Sequence, residues 1–435
     1  MSMLNNALSG LNAANVALTV AGQNVSNAAV EGYSRQAAQF KTTGVALGGV
    51  EVTSVERIVD EFLNNDIWRT NSDLSYYENK QSYLGFIEQV VGTDSLNLNT
   101  SISALTNALN AASTTPDSAA YRQQFLSAAE GLMQDFAQIN GAIDGQLDKL
   151  SSEMSNVSLS VTSLTKQIAE VNASVGQALA NNKPSAELKD NRERLVNELS
   201  QYIGVSIIER SSGLIDISTL SGAPLVIGSK SASMSVSGTD ISSHFLGQEF
   251  KLDKNVGGHF GGLISADQDV IQPTLASLNS LVSDLADDVN AALAGGFDLK
   301  DASGIPLFEY NASNPLGSIT INPNIGKDEL AFKGTAAAGA GDNSNVASII
   351  SAMTGKGDKF TSLVGELAIT SKQNQTSIAT ASSLNDNAVA ARDSLSGVNL
   401  DEEAASLMHF QQMYSANAKV ISTADQMFNT LLEMF

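Results

Sequence analysis

Chemistry at neutral pH needs a base, a nucleophile or a set of metal ligands, and this chain supplies few side chains of those kinds. Its histidines are His244, His259 and His409, in separate stretches, with no HExxH or paired-histidine spacing. Asp284, Asp287 and Asp288 fall on one helical face, but no second acidic motif stands near to complete a cation site, so they read as solvated surface. Ser163 and Lys166 fit S-x-x-K, which would put both on one helix face, yet the companion motifs of acyl transfer are missing and the match reads as chance. Gly257, Gly258, Gly261 and Gly262 cluster without G-x-G-x-x-G or a closing Lys-Ser/Thr, so they read as a turn rather than a phosphate cradle. The absence of cysteine removes disulfides, cysteine-ligated zinc, iron–sulfur clusters and thiol nucleophiles together. The sequence therefore predicts no catalytic, cofactor-binding or metal-binding residue and no enzyme.

With no chemistry to position, the elements themselves become the question. The 435 residues suffice for about three domains. Acidic residues number 46 against 24 basic ones, a net charge of −22 with a pI near 4.4, which repels phosphate backbones and anionic lipid alike. Neither nucleic acid nor membrane is an expected partner. Charged residues make up 16%, against a usual value of about 25%, and Ser, Asn, Thr, Gln, Ala and Gly fill the difference. Such surfaces hydrate well and can pack against copies of themselves. No uninterrupted apolar run is long enough to span a membrane. Met1 to Ala21 lacks Lys, Arg and a continuous apolar stretch, so no cleavable signal is predicted, and on that test alone the chain reads as cytoplasmic.

The strongest patterns lie at the two ends. Leu4, Ala7, Leu11, Ala14, Leu18, Ala21 and Val25 alternate three and four residues apart, a heptad seam. Alternating Leu with Ala makes this seam thin, so a neighbouring backbone can approach closely. At the other end Asn399 is a helix-cap signal, with Glu402 three residues on and Asp401 and Glu403 adding negative charge where the helix dipole favours it. Leu400, Ala404, Leu407, Tyr414, Ala418, Ile421, Phe428, Leu432 and Phe435 follow heptad-like spacing from there, broken by Gln411 and Asp425. Met408, Phe410, Ala424 and Leu431 widen the stripe. Chain ends usually fray, so an apolar stripe at each extreme end predicts that the ends meet each other or meet neighbouring subunits.

Between the ends, residues 60–112 read as helix, and Pro116 in a capping segment starts a helix continuing to about Ala180. Pro184 marks a turn before a helix ending near Tyr202. From Gly204 to Phe260 the period shifts toward two, with Val205, Ile207, Ile215, Ile217, Leu225 and Ile227 between Gly and Ser turns. Helix is expected from about Ala266 to Leu293, strand and turn from Phe297 to Phe332, and helix again from Asn345 to Arg392. The predicted class is α+β: a long-helix coiled-coil or bundle core formed by both chain ends, with an inserted, mainly β outer module. The expected domains are a terminal coiled-coil inner domain of 1–35 with 398–435 and a mainly helical wall of 36–203 with 262–397, strand-rich near 297–335. A β module of 204–261 is inserted into that wall.

The opening Ser9-Gly10-Leu11-Asn12-Ala13, Asn24-Val25-Ser26-Asn27 and Gly32-Tyr33-Ser34-Arg35-Gln36 resemble the N-terminal signature shared by bacterial flagellar rod, hook and hook-associated proteins. The closing Ser396-Gly397-Val398-Asn399-Leu400-Asp401-Glu402-Glu403-Ala404, with Gln411-Gln412, Tyr414, Ala418-Lys419-Val420-Ile421 and Thr430-Leu431-Leu432, resembles the hook-associated protein 1 family of flagellar axial proteins, the first hook–filament junction proteins. These motifs cover about a fifth of the chain, and the inserted β region is shorter than in many members.

The resemblance implies a structural subunit of the flagellum, exported by the flagellar type III apparatus without a cleaved signal, so cytoplasmic only before export and then secreted into the extracellular flagellum. It implies hook protein, the second junction protein, a ring of copies and an export chaperone as partners. The terminal helices would form an inner coiled coil that is unfolded in the free monomer and orders on assembly. Leu4, Ala7, Leu11, Ala14, Leu18, Ala21 and Val25 would be assembly-interface residues. Leu400, Ala404, Leu407, Phe410, Tyr414, Ile421, Phe428 and Leu432 would serve both assembly and the chaperone. Alternatives are hook protein, the second junction protein, or an axial protein carrying an enzymatic or adhesive outer module. The Ser396 to Ala404 motif favours the first junction proteins, and the short insertion without a catalytic motif weighs against the last alternative.

Overall fold

The computed structural model describes residues 2–30, 32–43, 48–93, 97–181 and 183–433. Helix α1 (Ser2–Asn27) leads to an antiparallel hairpin of β1 (Gln36–Thr42) and β2 (Val50–Arg57), in which Gln36 faces Arg57 and Thr42 faces Val50. The hairpin falls in a stretch expected to be mainly helical. Its signal is the alternation along β2, where Val50, Val52 and Ser54 are half-buried while Glu51, Thr53 and Val55 face solvent.

Next come α2 (Glu61–Gly92), α3 (Leu98–Thr114), α4 (Ala119–Ala180) and α5 (Ala186–Tyr202). Side-chain caps start the first three: Asp60 accepts from the Phe62 N–H at 2.8 Å, Asn97 from that of Asn99 at 3.0 Å, and Ser118 from that of Tyr121. With 62 residues, α4 is about 93 Å long at 1.5 Å per residue. Phe125, Leu132, Phe136, Ile139, Ile143, Leu150, Met154, Val157, Val161, Leu164 and Ile168 form its buried stripe, in steps of three, four or seven. Its first half lies on α3, where Ser101 donates to Asp135, and its second half carries the sheets.

Strands β3 (Val205–Glu209), β4 (Ile215–Thr219), β5 (Pro224–Ile227) and β6 (Lys230–Ser231) form one antiparallel meander. A second is formed by β7 (Ser233–Ser237), β8 (Asp240–Phe245) and β9 (Gln248–Leu252). Polar side chains of α4 pin both: Asn172 donates to Ile215 O at 2.8 Å, Thr165 donates to Ala232 O at 3.0 Å, and Thr162 accepts from Met234 N at 2.9 Å. Buried backbone groups need such partners.

Helix α6 (Gly258–Ala266) continues through one π-helical turn (Asp267–Ile271) into α7 (Gln272–Ala294). Pro273 lacks an N–H and would clash in a regular turn, and the wider turn, in which Gln272 N donates to Asp267 O, accommodates it. Of the glycine cluster expected to be a turn, only Gly257 and Gly258 make one, at φ +72° and +60°. Gly261 and Gly262 lie inside α6, where a Cβ on Gly262 would come 2.6 Å from Tyr76 O on α2. Their role is close helix packing. The short elements β10 (Phe308–Glu309), α8 (Pro315–Ser318) and β11 (Thr320–Ile321) follow, with β10 paired to β11.

The chain closes with α9 (Ser344–Met353), α10 (Lys356–Ser396) and α11 (Leu400–Glu433). Helix α10 runs antiparallel to α2: Asn374 donates to Tyr77 O at 2.8 Å and Asn385 to Asn71 Oδ1 at 2.6 Å. One apolar core extends from Trp68 on α2 to Leu367 on α10, and no described residue of α1, β1, β2 or α11 belongs to it. The fold is α+β, a helical body bearing two small sheets and the short β10–β11 pair, with a separate terminal unit made of both chain ends.

Candidate functional site

The terminal unit is built on alanine. In α1 the buried apolar side chains are Ala7, Ala13, Ala14, Ala17, Val20 and Ala21, which let α11 and the β1–β2 hairpin pack close to it and add little apolar area. Asn24 meets Glu403 and Gly10 lies under Asn417, so the helices run antiparallel. That register sets the start of α1 opposite about residue 425, and the last turns of α11 project beyond it.

At the other end of the pair the two terminal motifs bond to each other. Glu403, almost fully buried, accepts from Arg35 Nε at 2.7 Å and from Asn24 Nδ2 at 3.2 Å. Arg35 Nη1 donates to Glu402 at 3.0 Å. The Asn24 side chain also accepts from Tyr33 OH at 2.9 Å and Gln36 N at 3.0 Å, and donates to Gln36 O at 2.9 Å. Asn399 caps α11 as expected, its Oδ1 accepting from Asp401 N at 3.0 Å. Glu402 and Glu403 do more than favour the helix dipole: they are the two carboxylates that receive Arg35. Burial pushes the Tyr33 hydroxyl pKa up, and the nearby Asp190 charge adds to the shift.

Beneath this clasp Arg57, at the end of β2, reaches α5. Its Nη1 donates to Glu193 Oε1 at 2.8 Å, its Nε lies 2.7 Å from Asp190 Oδ1, and its Nη2 donates to Ser34 Oγ at 3.1 Å. Burial works against the guanidinium's charge, but Glu193 and Asp190 outweigh it and hold its pKa above the ordinary value. The Asp190 carboxyl is pushed up by burial, against the pull of Arg57. No periodicity foretold these pairs.

The N-terminal seam splits by residue type: Ala7, Ala14 and Ala21 are buried, Leu11 and Leu18 half-buried, Leu4 and Val25 exposed. On α11, Leu407, Phe410 and Ile421 are half-buried, Phe410 with its ring centroid 6.3 Å from that of Phe40 on β1. Leu400, Ala404, Tyr414, Phe428 and Leu432 are exposed, Phe428 and Leu432 to 61%. Met408 and Met427 are exposed as well. Phe435 lies outside the described residues.

The residues weighed for chemistry stay apart. His244 bonds Ser235 at 2.8 Å, and His409 sits beside the Phe410 ring. His259 lies 2.9 Å from Glu153, which also accepts from Tyr83 OH at 2.5 Å, and burial lowers the imidazole pKa against the pull of Glu153. The acidic face of α7 is not simply solvated surface: Asp284 pairs with Lys359 at 2.6 Å and Asp288 with Lys356 at 2.5 Å, while Asp287 accepts from Tyr310 OH at 2.8 Å. The bond from Lys359 holds the Asp284 pKa below the ordinary value. Ser163 accepts from Gln167 at 3.1 Å. Among the described residues no three His, Cys, Asp or Glu side chains gather as a metal site, and no helix is long and apolar enough to cross a membrane.

Residues 84–308 match the profile of the flagellar hook-associated protein FlgK helical domain, and residues 392–434 that of the flagellar basal body rod FlgEFG protein C-terminal. The chain is 25% identical to flagellar hook-associated protein 1 of Escherichia coli (strain K12) over 553 aligned positions, covering all of both. Its identity to the protein of that name from Bacillus subtilis (strain 168) is 24%, over 99% of this chain and 97% of the other. The E. coli alignment has 553 positions against 435 residues here, so that relative carries segments this chain lacks. The solved flagellar hook junction protein FlgK from Burkholderia pseudomallei shares the fold, with a TM-score of 0.53 and 24% identity over 57% of this chain and 47% of that one. The first profile spans more than half of the sequence and the second contains the C-terminal side of the Arg35–Glu403 clasp: the chain belongs to the flagellar hook-associated protein family defined by the FlgK helical domain.

Proposed function

We propose that the paired chain ends are the element through which copies of this subunit assemble between hook and filament. Family membership makes the chain a structural subunit of the bacterial flagellum, in its extracellular part and associated with hook components. The observation that carries the assembly reading is the division of the fold. The α1–α11 pair shares no core with the body, seals itself mainly with alanine, and leaves Met408, Tyr414, Met427, Phe428, Leu431 and Leu432 open. A two-helix pair backed only by a two-stranded hairpin buries little area and is marginal alone, and a long exposed apolar stripe calls for a partner.

The stripe is then covered by neighbouring copies in a ring, with hook protein on one side and the second junction protein on the other. The helices order as they are covered, so the burial energy is released only on assembly. Before that, an export chaperone masks α11 at Leu407, Phe410, Tyr414, Ile421 and Phe428, and the chain leaves through the flagellar type III apparatus. The helical body forms the wall, and the two sheets near residues 205–252 face outward.

Hydrogen exchange on the purified monomer tests this. Exchange of residues 2–27 and 400–433 at the rate of unfolded chain, beside a protected body, is the expected result. Protection of the ends equal to that of α4 would make them finished core helices and end the ordering mechanism.

A further inference from the structure

We propose that Arg57 is a latch fixing the angle between the terminal unit and the body, and that residues 58–60 and 397–399 are the joint about which the unit swings when the latch opens. No described element of the terminal unit packs broadly on an element of the body, and the two share no apolar core. Two short chain links join them, one between β2 and α2 and one between α10 and α11.

The links emerge side by side, because α2 and α10 are antiparallel, and Arg35 bridges them there, its N–H donating to Ser396 O at 2.9 Å and its carbonyl accepting from Ile58 N at 2.8 Å. Being at the axis, those bonds survive a swing. Arg57 begins beside Ile58, but its side chain reaches away from the links to α5, so its contacts there cannot. Its side chain, 6% exposed, crosses from β2 to Asp190 and Glu193, three residues apart on one face of α5. The two bonds from Arg57 to Glu193 are directional, and the Asp190 carboxylate adds an ion pair beside Nε without a hydrogen bond: tilting α5 away separates the buried guanidinium from both and lets water in.

The surroundings leave room for that movement. Clefts of about 530 Å³ flank the loop between α1 and β1, one lined by Val30, Arg392 and Val398, the other by Gln23, Pro184 and Leu188. A joint without apolar packing, with open space on both sides and one buried ionic contact off its axis, has a locked state and a released one. A subunit seated between two unlike lattices can use both angles. That use rests on the assembly reading, whereas the latch itself does not.

The full chain has no cysteine, so nitroxide labels can be placed by Glu51→Cys on the hairpin and Asp148→Cys on α4, both exposed positions. Electron–electron distance measurements should give one narrow distribution for the parent, and a distribution about twofold broader or more, or a second distance, for Arg57→Ala. The double variant Asp190→Asn with Glu193→Gln, which keeps Arg57 and its packing, should do the same, with the melting midpoint of the body unchanged. Arg69→Ala, which removes an exposed arginine paired to Asp66 and Asp73, should leave the distribution narrow. Equal widths in the parent and both latch variants, narrow or broad, would overturn the proposal. Both Glu51 and Arg57 lie on β2, so the distance reports how the hairpin is held on the body whether or not α1 and α11 are ordered in the free chain, and failure of the assembly reading shows instead as protected ends in hydrogen exchange.

Discussion

Arg35 and Glu403 are 368 residues apart in sequence and 2.7 Å apart in space. At the scale of the residue, such pairs were the least legible part of the chain. Each partner stands inside a motif that resembles the flagellar family, but spacing arguments reach only a few residues, and nothing local ties Asn24 to Glu403 or Arg57 to Glu193. Single residues read by type fared better: Asn399 caps its helix because its short side chain can turn back to Asp401 N. His259 gives a pH prediction. Burial lowers its folded pKa below the ordinary value of 6.5, so below about that pH the unfolded chain binds the proton more readily than the folded one. Stability contributed by the neutral imidazole is therefore present above 6.5 and is lost as pH falls through the folded value. Urea midpoints at pH 7 and pH 5.5 should show a drop that His259→Gln reduces. An equal drop in both proteins would assign the effect elsewhere.

At the scale of the element, legibility followed the length of the pattern. The stripe of α4 holds over 62 residues, and its end at Ala180 was visible in the sequence. The β1–β2 hairpin was missed because its strands mix Gln, Glu, Lys, Thr and Ser with few bulky apolar residues, which blurs the period of two. The start of α6 was missed for a different reason: glycine signals a turn locally, whereas Gly261 and Gly262 serve a contact with α2 that only the fold supplies. Gly262→Ala should cost about 1–3 kcal/mol, because the new Cβ would press on the backbone oxygen of Tyr76, which cannot move aside as a side chain could. Chemical denaturation reads this directly, and an unchanged midpoint would mean α6 can shift away from α2.

At the scale of the whole molecule, the sequence placed the ends together and the sheets in the middle, and the fold agrees. Hidden from it was that the terminal seam is sealed mainly by alanine, with most of the leucines, methionines and phenylalanines left half-covered or open. Leu407→Asp tests which of those surfaces matters. On the assembly reading it should abolish incorporation into the flagellum, a charge in a packed seam costing several kcal/mol per subunit, while the thermal unfolding of the body stays unchanged. Normal filament growth with this variant would remove α11 from the interface.

The antiparallel packing of α2 on α10 has a consequence for how the ends find each other. Because those helices bring residues 58 and 399 to one edge of a folded body, where Arg35 bonds both Ile58 and Ser396, the chain segments that carry α1 and α11 are rooted side by side. Their pairing is then intramolecular, at the millimolar effective concentration of a short tether, and the closure entropy of more than three hundred intervening residues has already been met by the body. On the assembly reading, a neighbour that orders one terminal helix recruits the other with it, so each subunit would join the structure with both ends or with neither.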